Sequence, residues 1–256
     1  MGPKSRQQKG AAVSRRRVEQ QRRTAVRGVV FDVDGTLVSL RGGLGELYAE
    51  ALNDLGVSVE ASRLSAAIAA EWPLFEPQYL ASAEGHRTSV PREVTVWVEF
   101  VRRVLARIDA RLAGERELLG GVYAFFSEGR SRRAVPGALA ACERLHERGL
   151  MAIAATNNDI RTARVLKELG FSPFLCSVVT AGEVGWKKPA PQFFCGVAQA
   201  AGAALGELLH VGNNSALDVE AAERAGMRAV LFDPAGAAKS GIARISSLSE
   251  LEQLVW

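Results

Sequence analysis

From Pro136 onward the chain alternates short apolar runs with helical patterns, and this alternation narrows the fold more than any other feature. A helix over residues 137–148 starts at Pro-Gly, ends at Gly149 and leads into an apolar run at 150–155. A helix at 160–169 ends at Gly170, and a strand follows at 177–180. A helix at 192–201 precedes a strand at 208–211, and a helix at 216–225 precedes a strand at 228–232. A short helix is expected at 247–255, and Val29-Val30-Phe31 supplies an earlier apolar run. Strands that are apolar at every position are buried on both faces. Strands that alternate with helices build βαβ units. The expected fold is therefore α/β: a Rossmann-like parallel sheet with helices on both faces.

Residues 41–133 read differently. Ala/Leu-rich helical patterns occupy 45–55 and 61–72. Val94, Trp97, Val98, Val101, Leu105, Ile108 and Leu112 recur at three- and four-residue spacing within 91–112, and 118–126 forms a further helix. No strand is expected between 41 and 133, so this reads as an all-helical subdomain inserted into an α/β core at 27–40 and 134–256. Residues 1–26 hold almost no large apolar side chain, so they are expected to be a disordered basic tail. Through Arg27 the tail carries nine cations and one acid, while the whole chain is only +4, so the body is mildly acidic. No apolar run is long enough to span a membrane. The basic start lacks the apolar segment of a secretory signal, so a cytoplasmic location is expected. Cys142, Cys176 and Cys195 have no metal-type spacing and are expected to be buried small residues in a reducing compartment.

Ligands of open α/β sheets bind beyond the carboxyl ends of the strands. The first strand runs into Asp32-Val33-Asp34-Gly35-Thr36, and the second into Thr156-Asn157-Asn158. The third is followed by Gly185-Trp186-Lys187-Lys188-Pro189, and the fourth by Gly212-Asn213-Asn214 with Asp218 in the next turn. Acid, hydroxyl and cation thus converge on one edge, the composition of a metal–phosphate site.

The ordered set FDVDGTLV, ATNN, GWKKPAPQFF and HVGNNSALDVEAAERAGM resembles the haloacid dehalogenase superfamily, in particular its phosphatases with an inserted helical cap. The resemblance implies a Mg²⁺-dependent phosphatase acting on a small phosphorylated metabolite through an aspartyl-phosphate. Asp32 would be the nucleophile. Asp34 would protonate the leaving oxygen, activate water, and ligate Mg²⁺ through its carbonyl. Thr156 and the Asn157 N–H would bind phosphoryl oxygens, and Lys188 would stabilise charge on Asp32 and phosphate. Lys187 is expected to face solvent. Asp32, Asp34, Asn213 and Asp218 would surround the metal.

The fourth motif departs from its relatives: Asn213 stands where an Asp is usual, which predicts weaker Mg²⁺ binding. It opens two alternatives, a metal-independent 2-haloacid dehalogenase-like hydrolase and a catalytically weak binding protein of the same fold. Asp34 favours phosphate chemistry, because the dehalogenases lack that second acid. Within the helical insert, residues 82–87 form a polar loop in which His86 and Arg87 are candidates for substrate contact. Trp97 and His210 are expected in the core, and Trp72 and Trp186 are further candidates for the cleft. Nucleic acid is expected as a partner only through the basic tail, and no oligomeric state follows from the sequence.

Overall fold

The computed structural model describes residues 25–81, 85–237 and 241–255. The expected disordered tail lies outside the described residues, except that Val26 already packs on the core.

The sheet is formed by β1 (Gly28–Phe31), β4 (Met151–Thr156), β5 (Ser177–Thr180), β6 (Leu208–Gly212), β7 (Arg228–Phe232) and β8 (Arg244–Ile245). All its pairings are parallel, in the order β5-β4-β1-β6-β7-β8. Side chains alternate between the two faces along each strand. Val29 and Phe31 of β1 join Ala152, Ala154, Leu209 and Val211 in one apolar layer. Val30 points the other way, to Ile153, Ala155 and Leu208. Both layers are roofed by helices, which is why these strands are apolar apart from His210 of β6 and the terminal Thr156 of β4. The chain moves from β1 outward to β5 on one side and from β6 outward to β8 on the other. The switch point, with its crevice, is therefore at the carboxyl end of β1.

Two short strands, β2 (Val38–Leu40) and β3 (Arg132–Ala134), pair antiparallel and tie together the two chain crossings into the insert. Neither was legible in the sequence. Arg132 and Arg133 carry no apolar signal, and the pairing rests on backbone groups and one side-chain bond, Arg133 Nε to Ser39 Oγ at 3.3 Å. The insert holds α1 (Leu44–Asn53), α2 (Ala61–Leu80), α3 (Val90–Ile108) and α4 (Arg116–Phe125). Their apolar faces enclose a separate core around Leu47, Leu52, Leu64, Phe100, Val104 and Val122. α2 runs eight residues past its expected end, through Pro73 and Pro77. Proline destabilises a helix interior by about 3 kcal/mol. Burial of Phe75 and Tyr79 beyond the first proline offsets that loss. The expected helix at 216–225 divides into a π-turn over Ser215–Glu220 and an α-turn over Ala221–Ala225. Cys142 is buried, but Cys176 and Cys195 are exposed, so only one of the three serves as a core residue. No helix among the described residues is long and apolar enough to cross a membrane.

Candidate active site

Asp32 follows the last residue of β1, and its N–H donates to the Val211 carbonyl of β6 at 2.8 Å. The chain then wraps around the Val33 carbonyl, which accepts from the N–H groups of Thr36, Leu37 and Val38. That turn needs Gly35 at φ +87°, and a Cβ there would stand 2.1 Å from Asn213 Nδ2. Asn213 is thereby placed directly against the Asp32–Gly35 turn.

Lys188 is buried, and its Nζ donates to Asp32 Oδ1 at 2.6 Å and to Asp218 Oδ1 at 2.7 Å. Asn157 grips the backbone of that lysine from both sides. Its Oδ1 accepts from Lys188 N at 2.7 Å and its Nδ2 donates to Lys188 O at 3.0 Å. Asp218 Oδ2 accepts from Asn214 N at 3.0 Å, and His210 Nε2 lies 3.2 Å from Asp218 Oδ1. Asp218 approaches this closely because Gly212 lacks a side chain: a Cβ there would meet the carboxylate at 2.3 Å. Both oxygens of Asp218 are thus engaged by protein donors, and it serves as counter-ion to Lys188.

The electrostatics follow from one ammonium shared by two buried carboxylates. Burial pushes the Asp32 carboxyl up to about 7, with Lys188 opposing the rise and Asp218 adding to it. Burial acts on Asp218 in the same sense, but Lys188 and His210 outweigh it and hold that carboxyl well below the usual range. Burial would depress Lys188, yet Asp218 and Asp32 hold it above the ordinary lysine value. Burial lowers His210 below its usual range. A neutral imidazole bonds a carboxylate only as donor, so Nε2 carries the proton.

Asp34 sits two residues beyond Asp32 with its side chain partly exposed. Its Oδ2 accepts from Asn158 Nδ2, and the Arg132 guanidinium lies 3.4 Å from its Oδ1. The Thr156 hydroxyl oxygen accepts from Asn158 N at 3.0 Å, which leaves its own proton for another acceptor.

These residues line one cavity of about 650 Å³, together with Asn213, Asn214, Asp159 and Arg161. Its far wall comes from the insert and includes Trp72, Tyr79 and Trp97. The structure brings Asp32, Asp34, Thr156, Asn157, Lys188, Asn213 and Asp218 to this cavity. His86 and Arg87 are not on its wall. His86 Nδ1 bonds the Leu80 carbonyl at 2.8 Å, and its own carbonyl accepts from Lys187 N at 2.9 Å. Arg87 bridges to Trp186, with its guanidinium 5.6 Å from that ring. This loop therefore braces the lysine loop from outside, and its residues 82–84 lie outside the described residues. Trp97, expected in the core, packs against the core of the insert and also lines the cavity.

Lys187, expected to face solvent, is buried. It is 1 % exposed, and its Nζ donates to Glu93 Oε2 of α3 at 2.6 Å, above the Tyr79 ring at 3.4 Å. Glu93 is fully buried and also accepts from Thr88. The Tyr79 hydroxyl donates to the Asn157 carbonyl at 2.7 Å. Sequence reasoning missed Glu93, Tyr79 and Arg132. Glu93 had one visible signal, an acid four and seven residues before Trp97 and Phe100 and so on the same helical face as those two aromatic residues.

The donor set suits a water-rich Mg²⁺ site. Among the described residues no group of three His, Cys, Asp or Glu side chains is gathered to hold a metal. Mg²⁺ commonly uses only one or two carboxylates and keeps several waters. Asp32, the Asp34 carbonyl and the Asn213 amide beside Gly35 offer that kind of set, with a single full charge; Asp218, expected beside the metal as well, has its oxygens engaged by Lys188, His210 and Asn214.

A family model described as haloacid dehalogenase-like hydrolase matches residues 26–226. The chain is 25% identical over 210 residues to Haloacid dehalogenase-like hydrolase domain-containing protein 3 of Bos taurus, covering 82% of each chain. It is 31% identical over 156 residues to Phosphatase MT3486 of Mycobacterium tuberculosis, covering 60% of this chain and 69% of that one. Among solved structures it resembles the L-2-haloacid dehalogenase of Xanthobacter autotrophicus, with a TM-score of 0.69 at 16% identity over 90% of this chain and 98% of that one. At that identity the likeness shows the fold alone.

Proposed function

Because the chain belongs to the haloacid dehalogenase-like hydrolases, we propose that it is a Mg²⁺-dependent phosphatase that works through a phosphoaspartate at Asp32. The observation that carries this reading is the pairing of two differently held carboxylates at the switch point. Asp32 is buried against the Lys188 ammonium, and Asp34 is partly exposed between Asn158 and Arg132. Acid–base and nucleophilic roles call for such unlike environments. Similarity to a protein named as a phosphatase supports the same class.

An oxygen of Asp32 attacks phosphorus, and the bond from phosphorus to the ester oxygen breaks. Asp34 gives its proton to the departing oxygen and is left as a carboxylate. It then removes a proton from water as that water attacks the phosphoaspartate, which releases phosphate and restores both acids. The Thr156 hydroxyl and the Asn157 N–H stand at the strand end where the phosphoryl oxygens arrive. Lys188 offsets the charge that accumulates on them. Asp32, the Asp34 carbonyl and Asn213 would hold Mg²⁺, which supplies further neutralisation of phosphoryl charge when bound. Asp218 acts through Lys188 by holding its ammonium in place. Tyr79 and Glu93 bring the helical cap down on the Asn157 and Lys187 loops and so exclude water.

The test is turnover of a panel of phosphomonoesters with Mg²⁺ and with EDTA, alongside Asp32→Asn. Turnover that needs Mg²⁺ and disappears in Asp32→Asn is expected; full turnover in that variant removes the assignment of Asp32. The neutral Asn213 favours one second reading, metal-independent dehalogenation. That reading requires halide release from a 2-haloacid with EDTA present.

A further inference from the structure

The cavity has two unlike halves. The sheet edge contributes the charged floor already described, and the helical cap contributes a wall of Leu44, Tyr48, Trp72, Trp97, Phe100 and Phe126. These rings support one another. Trp72 and Trp97 stack at 6.4 Å, Phe100 stands edge-on to both at 5.8 and 6.1 Å, and Tyr48 meets Phe126 at 5.3 Å. An aromatic wall held in this way is preorganised and presents apolar surface to whatever enters.

The cations around the cavity already face carboxylates. Among the described residues four carboxylates and three cations line it, so the acids are in excess by one. Lys188 is shared by Asp32 and Asp218. Arg132 faces Asp34 at 3.4 Å and packs on the Phe126 ring. Arg161 is clasped by Asp159 at 2.9 Å, donates to the Tyr123 carbonyl at 2.8 Å and lies 3.8 Å from the Tyr123 ring. Among the described residues, every cation on the wall is thus already paired before a second anionic group could arrive. The hydroxyl of Tyr79 is likewise committed to Asn157. A polyol moiety against this wall would lose its water partners and could regain only what the Tyr48 hydroxyl and, at the margin, Ser39 offer, at on the order of tenfold in affinity per hydroxyl left unpaired.

The geometry points to phosphomonoesters of apolar alcohols or phenols, with no second anionic group, as the substrate class. The phosphoryl group would lie on the sheet-edge floor and the alkyl or aryl group against the cap's aromatic wall. This inference rests on the phosphatase reading above and narrows its substrate. A cavity of about 650 Å³ lies within the range that encloses drug-sized ligands, so it has room for a group well beyond the phosphoryl.

The experiment measures kcat/KM with Mg²⁺ for ethyl, butyl, hexyl and phenyl phosphate and for glycerol 3-phosphate. In parallel, calorimetry measures binding of hexylphosphonate and methylphosphonate to the wild-type chain. Burial of methylene groups predicts a rise of about two- to fourfold per added carbon. Hexyl phosphate should therefore exceed ethyl phosphate at least tenfold and also exceed glycerol 3-phosphate. Trp97→Ala should flatten the series mainly through KM, and the wild-type series decides the matter if that variant fails to fold. A flat series, or preference for glycerol 3-phosphate, overturns the inference while leaving the phosphatase reading intact. Absence of turnover on every ester removes the phosphatase reading instead. The phosphonates then decide the wall: at least tenfold tighter hexylphosphonate binding supports it, and equal binding overturns it.

Discussion

Replacing Lys187 by Met tests whether the helical cap is fastened to the catalytic loop by a buried charge pair. Methionine matches lysine out to the ε position, so the substitution removes the ammonium and little of the packing. Glu93 would then be a fully buried carboxylate that, among the described residues, keeps the Thr88 hydroxyl and the Arg92 guanidinium, at 3.5 Å, as side-chain partners. Breaking a buried ion pair on one side costs about 3–5 kcal/mol. The protein has one escape, which is for Glu93 to take up a proton. An ordinary glutamate titrates near pH 4.3, so protonation at pH 7 costs at most about 3.7 kcal/mol. The two limits place the loss at about 3–4 kcal/mol at pH 7. The sign of its pH dependence follows. A carboxyl protonated in the folded variant but ionised when unfolded destabilises by about 1.4 kcal/mol for each pH unit above 4.3. The deficit should therefore shrink steadily from pH 7 to pH 5. Adding Glu93→Leu to Lys187→Met removes the stranded charge and should restore stability to within about 1 kcal/mol of wild type. Urea unfolding of the wild type, the single variant and the double variant at pH 7, 6 and 5 reads all of this. A loss below 1 kcal/mol that does not change with pH would refute the reasoning, because it would mean that the pair is hydrated and the cap is not locked through it.

Three further outcomes are expected. Asn213→Asp should tighten Mg²⁺ binding about tenfold by calorimetry, since the added carboxylate supplies a second full charge beside the Gly35 turn; unchanged affinity would separate Asn213 from the metal. Gly35→Ala should cost at least about 1–2 kcal/mol in thermal unfolding and lower turnover, because φ +87° penalises any Cβ and the new methyl would displace Asn213. Burial pushes the Lys187 ammonium down to about 8 from 10.5. The folded chain thus sheds that proton first as pH rises, and unfolding near pH 9 should take up close to one proton more than unfolding of Lys187→Met. Calorimetric unfolding in buffers of different ionisation enthalpy measures that difference.

The sheet and the residues at its switch point were written locally. Apolar runs such as 150–155 can be satisfied only by burial on two faces, and the polar residues that end each run must then gather at one edge. Asp32, Asp34, Thr156, Asn157, Lys188, Asn213 and Asp218 were accordingly legible, each at a strand end or in the loop after it. The helical insert was legible as well, from its three- and four-residue spacing. Tertiary structure decided what long-range contacts decide. Of two adjacent lysines, Lys188 reaches Asp32 and Asp218 while Lys187 turns back to meet Glu93, a partner 94 residues away. His86 and Arg87 brace the loop where the sequence suggested substrate contact, because their partners Leu80, Lys187 and Trp186 converge only in the fold. Trp97 carried the same apolar signal whether it faced a core or a cavity. A residue's type and spacing set which face it can occupy. Whether that face meets packed side chains, a distant charge or open space depends on chain segments that no local pattern encodes.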